Sequence, residues 1–168
     1  MSYARLIVNP AAGAGRTAKK WPYIKQLLKK IGLKFEHDIT EAPGHAIELA
    51  KSAVDKGYKI VVSVGGDGTI NEIVNGLYST GMIKDIDLGI IGTGTGSDYI
   101  RTIGVSKYYQ IACQRLLNPR KISVDLGLIE SLNTNPSAKR LFANLTLYVK
   151  AKISLRSQSK PISSTNLL

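Results

Sequence analysis

The chain has 168 residues, of which 43% are hydrophobic and 21% are charged. This length and composition are typical of an ordinary soluble globular protein with one domain and a tail. No apolar stretch approaches the roughly 20 residues that a membrane-spanning helix needs. The first residues, MSYARLIVNPAAG, lack a basic segment followed by a long apolar core, so they do not resemble a secretion signal and we expect a cytoplasmic protein.

The net charge of +11 is concentrated in two parts of the chain. Residues 1–35 contain eight basic residues and no acid, and residues 131–168 contain six basic residues and no acid. A basic surface favours anionic partners such as nucleotides or the headgroups of acidic lipids, although a solvated lysine-rich helix face is the simpler alternative. Aromatic residues do not interleave with arginines in the way that stacks on bases, so we expect no nucleic-acid partner.

Cysteine and histidine are too scarce for a metal centre. Cys113 is the only cysteine, which excludes an internal disulfide and a cysteine metal cage. We expect it to be a small buried core residue. His37 and His45 are isolated in the sequence, and we assign both of them structural roles.

Apolar runs and helical spacing alternate along the first two thirds of the chain. Four apolar, β-rich segments predict strands at residues 3–8, 34–39, 60–64 and 88–91. Between them, apolar residues at helical spacing predict helices, the first of which carries Ile24, Leu27, Leu28 and Ile31 on one face. Another helical segment is predicted at residues 107–117. Strand–loop–helix units in succession predict an α/β fold, an open parallel sheet with flanking helices, whose strand-to-helix loops lie along one edge.

After residue 120 the pattern changes to strict alternation. Apolar and polar residues alternate over residues 122–128, and every odd position is apolar over residues 141–155. This pattern predicts half-buried strands that begin a second, β-rich layer. We therefore expect an α/β domain at residues 1–120, the first strands of a β-rich domain at 121–156, and a disordered polar tail at 157–168.

Three glycine-rich loops follow predicted strands and precede predicted helices. They are NPAAGAGRT (residues 9–17), GGDGT (65–69) and GTGTGSD (92–98). Such loops let backbone N–H groups approach a phosphate at a helix N-terminus. The first loop matches a dinucleotide fingerprint only weakly, because four residues separate its first glycine from the strand, and no loop has the G-K-[ST] ending of a P-loop. A plain turn remains the alternative for the first loop.

Asp67 is the acidic residue in the second loop. A carboxylate there repels a phosphate unless a divalent cation lies between them or the carboxylate takes a proton from an attacking hydroxyl. The sequence therefore favours phosphoryl transfer over simple phosphate binding. The alternative is that Asp67 braces the turn with hydrogen bonds of its own side chain.

Four other polar residues in or just after these loops have structural alternatives. Thr69 and Glu72 fit a capping box at the start of the third helix. Asp98 fits an N-cap of the segment that follows it. Thr95 either donates a hydroxyl to phosphate or serves the turn.

Taken together, the loops resemble one known family. VNPAAGAGR, GGDGTINEIVNGL and LGIIGTGTGSDYIRTIGV, with ITEAPGHAIELAK between the first two, are similar in order and spacing to the diacylglycerol kinase catalytic domain. Bacterial lipid kinases, ceramide kinases and sphingosine kinases share this domain, and the resemblance covers roughly residues 4–144. NAD kinases and phosphofructokinases share the GGDG loop, but the NEIVNGL continuation is closer to the lipid kinases. The resemblance implies the N-terminal α/β domain of that fold, with most of the C-terminal β-rich domain absent from the chain.

The resemblance also implies an activity and a set of site residues. The activity is that of an ATP- and Mg²⁺-dependent kinase that phosphorylates a lipid hydroxyl, of diacylglycerol or a sphingoid-like lipid, in peripheral contact with an anionic membrane. Asp67 would serve as the base or on the metal side, and Glu72 would support it. The expected nucleotide contacts are Asn9, Pro10, Ala11, Ala12, Gly13, Thr40, Gly65, Gly66, Asp67, Gly68, Thr69, Ile70, Asn71, Gly94 and Thr95.

Two alternatives to a lipid kinase stay open on the sequence. The chain is then either a remnant that binds nucleotide without transferring phosphate, or a kinase of a soluble hydroxyl substrate such as NAD or a sugar. The sequence does not determine the acceptor lipid or the oligomeric state.

Overall fold

The computed structural model describes residues 3–94, 98–129 and 140–142. Its strands are β1 (Ala4–Val8), β2 (Phe35–Ile39), β3 (Ile60–Gly65), β4 (Asp87–Gly92), β5 (Gly127–Ile129) and β6 (Arg140–Phe142). Its helices are α1 (Arg16–Lys30), α2 (His45–Asp55), α3 (Asp67–Ser79), α4 (Asp98–Thr102) and α5 (Tyr109–Arg115), with a 3-10 turn at Ile83–Asp85. The predicted strand 141–155 beyond its first residues, and the tail 157–168, lie outside the described residues.

The first four strands form one parallel sheet in the order β2-β1-β3-β4. Each strand is joined to the next by a helical segment, as parallel pairing requires. The prediction of an open parallel α/β sheet is therefore confirmed, with strand ends that differ from the predicted ones by a residue or so. The fifth helix is shorter than the predicted segment 107–117.

Two apolar layers cover the two faces of the sheet. On one face, alternate residues of β1 and β3, such as Leu6 and Val62, pack with Ile24 and Leu28 of α1 and with α5. On the other face, Ile7 and Val61 pack with α2 and α3. Parallel strands covered on both faces have near-continuous apolar sequences, and β3 has such a sequence, in which Ser63 is the one polar side chain.

Cys113 lies in the first of these layers and is fully buried. Burial raises the pKa of its thiol to about 11, because an apolar environment disfavours the thiolate. Its predicted role as a small core residue is confirmed. His45, at the start of α2, accepts a hydrogen bond at Nδ1 from the Glu41 amide (3.1 Å), and the ring of His37 lies 5.0 Å from that of Trp21. These are structural contacts, as expected.

Helices α2 and α3 approach each other closely at Gly76. A Cβ built on Gly76 would collide with the carbonyl oxygen of Ile47 and would lie 2.8 Å from Cβ of Ala50. The missing side chain is what lets the two helices touch here. This close packing fixes the first turns of α2 against the C-terminal half of α3.

The predicted strand over residues 122–128 is only partly present. Regular pairing begins at Gly127, where β5 pairs antiparallel with β6, while residues 121–126 form no strand. Ile122 and Val124, expected to be half-buried, are 53% and 44% exposed. A strand needs backbone hydrogen-bond partners, and within the described ranges residues 121–126 have none. Alternation of apolar and polar residues was therefore not sufficient to make this segment a strand.

None of the helices within the described ranges is both long and apolar enough to cross a lipid bilayer.

Candidate phosphate-binding edge of the sheet

The three glycine-rich loops meet at one edge of the sheet. Strands β1, β3 and β4 are parallel neighbours, so their carboxyl ends reach the same edge. Backbone hydrogen bonds join the loops directly. The Asn9 amide donates to the carbonyl of Val64 (3.0 Å), and the Thr93 amide donates to the carbonyl of Gly65 (2.8 Å).

Asn9 ties the first loop to the second. Its Oδ1 accepts a hydrogen bond from the Ala11 amide (3.1 Å), and its Nδ2 donates to Oγ1 of Thr69 (3.0 Å). The first contact folds the loop back on itself and the second reaches across to helix α3. Asn9 thus has a positioning role, whatever else it contacts.

Pro10, Ala11, Ala12 and Gly13 complete the tight turn of the first loop. Its backbone bonds run from the Ala12 amide to the Asn9 carbonyl (3.2 Å) and from the Gly15 amide to the Ala11 carbonyl (3.2 Å). Gly13 has a φ of 65°, and a Cβ there would lie 2.9 Å from the carbonyl oxygen of Thr93. Only glycine combines this backbone conformation with this close approach to the third loop.

The second loop starts α3 without a side-chain cap. Gly66 occupies the N-cap position in an extended conformation, and Asp67 is the first helical residue. Gly65 is buried, and a Cβ on it would collide with the side chain of Thr69. The glycines therefore let the chain turn from β3 into the helix within one residue.

The predicted capping box of Thr69 and Glu72 is wrong. The glycine turn starts the helix two residues before Thr69, which lies inside the first turn with Oγ1 bound to Asn9. Oε2 of Glu72 instead accepts a hydrogen bond from the Ala46 amide (3.2 Å), in the first turn of α2. A carboxylate at that position satisfies an unpaired helix N–H and faces the positive end of the helix dipole.

The Asp67 carboxylate is half-buried and unengaged. Among the residues that the structure describes, it forms no hydrogen bond and no ion pair, so it does not brace the turn. The structural alternative for Asp67 is therefore not supported. Its position, in the first turn of α3 at the edge where the loops meet, leaves the carboxylate available to a ligand.

Backbone donors at this edge are available as well. Within the described chain, the amides of Gly13, Ala14, Asp67 and Gly68 have no hydrogen-bond acceptor. Two of them are the first N–H groups of α3, where the helix dipole adds partial positive charge. Nε of Arg16 donates to the Gly13 carbonyl (3.0 Å), which places a full cation beside the first loop. Unpaired N–H groups with a nearby guanidinium form a site for an anion.

The remaining residues predicted to contact the nucleotide lie at the rim of this edge or support it from behind. Thr40 is buried, and its amide donates to the Val8 carbonyl (2.8 Å). The Ile70 side chain is buried in the core, so only its backbone faces the loops. Asn71 accepts a hydrogen bond at its carbonyl from Nδ2 of Asn75 (2.8 Å). Gly94 lies against Gly66, its Cα 3.5 Å from the place of a Gly66 Cβ.

Two predicted polar residues are not placed. Thr95 and the side chain of Asp98 lie outside the described residues. Helix α4 begins at Asp98 itself, one residue earlier than an N-cap at that position predicts.

Sequence reasoning missed a buried pair of threonines at this edge. Oγ1 of Thr17 lies 2.5 Å from Oγ1 of Thr93, and both side chains are buried. The only hint of this pair was Thr17, a polar residue at a position of α1 that the core encloses. A spacing of 76 residues gives no periodic pattern that could have joined the two.

Fold and loops together define an α/β domain with a candidate phosphate-binding edge, and comparison with known proteins places the domain in a family. The family model for the diacylglycerol kinase catalytic domain matches residues 3–129. A diacylglycerol kinase of Bacillus subtilis (strain 168) is 31% identical over 130 residues, which cover 77% of this chain and 42% of the relative. One from Staphylococcus haemolyticus (strain JCSC1435) is 32% identical over 124 residues, 74% of this chain and 37% of the relative.

A solved structure agrees. The crystal structure of a diacylglycerol kinase from Bacillus anthracis str. Sterne superposes with a TM-score of 0.60 at 26% identity, covering 76% of this chain and 44% of that one. The chain belongs to the diacylglycerol kinase catalytic domain family. It spans about two fifths of the length of the curated relatives described here.

Proposed function

We propose that the chain is the nucleotide-binding part of a lipid kinase, which transfers the γ-phosphoryl group of ATP to a lipid hydroxyl of diacylglycerol or a sphingoid-like lipid. The observation that carries the proposal is the unengaged Asp67 carboxylate among unpaired backbone amides at the start of α3. In domain terms, we propose residues 1–120 as the nucleotide-binding domain and residues 121–156 as the first strands of a β-rich domain.

The phosphates of ATP fit the unpaired donors. The amides of Gly13 and Ala14 in the first loop and of Asp67 and Gly68 in the second provide backbone N–H groups from two sides. The α3 N-terminus and Arg16 supply positive charge for the polyphosphate. Thr40 and Asn71, at the rim, are proposed as further nucleotide contacts.

Asp67 then acts on the acceptor. Its carboxylate takes the proton of the attacking lipid hydroxyl while the hydroxyl oxygen forms a bond to the γ-phosphorus. The bond between the γ-phosphorus and its bridging oxygen breaks, and ADP leaves. The alternative role of Asp67 is to face a metal ion, and both roles need the carboxylate free, as it is here.

Magnesium fits this edge together with the nucleotide. The described residues contain no group of three histidine, cysteine or acidic side chains that could hold a metal ion by themselves. Mg²⁺ in phosphoryl-transfer sites is commonly held by one or two carboxylates and the substrate phosphates, and Asp67 can provide one carboxylate. When bound, the ion neutralises charge that develops on the phosphates.

The decisive experiment measures lipid-dependent formation of ADP by the full chain and by Asp67→Asn. Loss of a general base costs about 10²- to 10⁴-fold in rate, so we expect turnover by Asp67→Asn to fall by at least about a hundredfold. ATP affinity should change far less, because the backbone donors stay. Asp85→Asn, in the exposed 3-10 turn, is the matched control and should keep full activity.

Other outcomes would redirect the proposal. ATP binding without phosphorylation of any lipid would indicate a binding-only protein. Faster turnover with NAD or a sugar than with lipid would indicate a soluble acceptor. Equal turnover of wild type and Asp67→Asn would show that Asp67 takes no part in the reaction.

A further inference from the structure

The buried threonine pair, Thr17 and Thr93, connects two loops that the sheet does not bring into direct pairing. Thr17 is the second residue of α1, after the first loop, and Thr93 is the first residue after β4. Strand β3 lies between β1 and β4, so no strand ladder joins these two loops. The contact of 2.5 Å between their hydroxyl oxygens therefore joins the first and third loops across β3, the strand that leads into the second loop.

The direction of this hydrogen bond follows from counting protons. Oγ1 of Thr17 also lies 3.1 Å from the carbonyl oxygen of Ala12, which can only accept. A threonine hydroxyl has one proton, so Thr17 donates to Ala12 and Thr93 donates to Thr17. Thr17 is therefore the central member, an acceptor for the third loop and a donor to the first.

Thr93 also joins the second loop. Its amide donates to the Gly65 carbonyl (2.8 Å), and the next amide, of Gly94, donates to the same oxygen (3.3 Å). Its carbonyl lies so close to Gly13 that a Cβ there would be 2.9 Å away. All three loops that carry the candidate site thus meet at Thr93.

We infer that Thr17 is a positioning residue: its hydroxyl, held by Ala12 and Thr93, fixes the third loop against the first and so sets the distance between the two sides of the phosphate-binding edge. Thr17 is 0% exposed and Thr93 is 3% exposed, so bulk solvent does not compete for the two hydroxyl groups. The consequence for ATP binding rests on the proposed function, but the contact itself does not.

The inference is tested on the nucleotide-free full chain by amide hydrogen exchange at Thr93 and Gly94. Thr17→Val keeps the side-chain shape but removes both hydrogen bonds and leaves the Thr93 hydroxyl without an acceptor. We expect these two amides to exchange about tenfold faster. Thr17→Ser keeps the hydroxyl and should restore slow exchange, which a role of the side chain in packing alone would not.

Two further variants complete the test. Thr93→Val removes only the donor and leaves the hydrogen bond from Thr17 to Ala12. It should therefore accelerate amide exchange less than Thr17→Val does. If Thr17→Val does not fold, Thr93→Val takes its place in the test. Thr80→Val, which loses a hydrogen bond to Leu77 at the far end of α3, should leave exchange at Thr93 and Gly94 unchanged. Unchanged exchange in both Thr17→Val and Thr93→Val, or equal acceleration by Thr17→Ser and Thr17→Val, would overturn the inference.

ATP affinity is measured on the same variants as a separate readout. If wild type binds ATP, Thr17→Val should bind it about fivefold or more weakly, and Thr17→Ser should bind it normally. If wild type binds no ATP, the proposed function fails while the exchange data still decide the role of Thr17.

Discussion

Glu72 has a structural contact beside the supporting role in the chemistry that its place in the sequence predicts. It stands near Asp67 in the sequence, and its Oε2 accepts a hydrogen bond from the Ala46 amide of the neighbouring helix. This hydrogen bond joins α2 to α3, and the supporting role stays a prediction. A carboxamide oxygen can accept the same hydrogen bond, whereas a general base needs the carboxylate.

The Glu72 variants separate these roles. Glu72→Gln should retain most lipid-dependent activity and most stability, because the acceptor to Ala46 remains. Glu72→Ala should lower the free energy of unfolding by about 1 kcal/mol, the usual cost of a lost N-terminal cap, as measured by urea denaturation. A rate for Glu72→Gln as low as that for Asp67→Asn would instead give Glu72 a chemical role.

His37 makes stability depend on pH. Burial lowers the pKa of its imidazole, and the charges of Lys25, Arg5 and Lys29 lower it further, while Asp38 acts in the opposite direction. The unfolded chain therefore binds the proton first, near pH 6.5, and stability is lost as the pH falls below that value. We expect the urea midpoint to decrease between pH 7 and pH 5 in wild type and to decrease less in His37→Gln. An identical pH profile for the two proteins would contradict this.

At the scale of secondary structure elements, the contact of α2 with α3 depends on Gly76. Gly76→Ala places a methyl group against the backbone carbonyl of Ile47, which cannot rotate away as a flexible side chain would. We expect a loss of about 1–3 kcal/mol in the free energy of unfolding, despite the better helix propensity of alanine. Gly68→Ala, in the same helix with no atom within 4 Å of the new methyl, is the control and should not destabilise.

The helices and strands were largely predictable from the sequence, whereas the side-chain contacts between them were not. Mainly apolar runs indicated β3 and β4, and glycine-rich loops indicated the carboxyl edge, because burial on both faces and sharp turns leave local signals in the sequence. The Thr69–Glu72 pattern was misleading because a capping box and an ordinary first turn share the same residues, and only the glycine turn at Gly66 decides where the helix starts. Contacts such as Glu72 to Ala46 leave no local signal at all.

At the scale of the whole molecule, charge is unequal on the two faces of the sheet. Helix α1 carries exposed Lys19, Lys29 and Lys30, and it lies on the face opposite α2. A basic surface near an anionic bilayer gains about 1 kcal/mol per lysine, an attraction that salt screens. This is the surface that we propose for peripheral membrane contact.

Vesicle sedimentation tests that surface. Binding to vesicles that contain anionic lipid should weaken as salt rises and should fall about tenfold or more in the double variant Lys19→Glu/Lys30→Glu. The double variant Lys56→Glu/Lys84→Glu, an equal charge reversal at exposed lysines just after α2 and in the 3-10 turn, is the matched control and should have a smaller effect. Equal losses of vesicle binding in both variants would indicate that the vesicles attract the net charge of the protein and not this surface.

The hydrogen bond from Asn9 to Thr69 joins residues 60 positions apart, and the threonine pair spans 76. If phosphate binds at this edge, its site is complete only after β1, β3 and β4 have assembled, and we expect the unfolded chain to have a much lower affinity for the nucleotide. A ligand that binds only the native state stabilises it by about 2.7 kcal/mol at a hundred times its dissociation constant. If ATP is the ligand, its concentration sets the melting temperature of this domain, and the cell's nucleotide level becomes one of the factors that keep the chain folded.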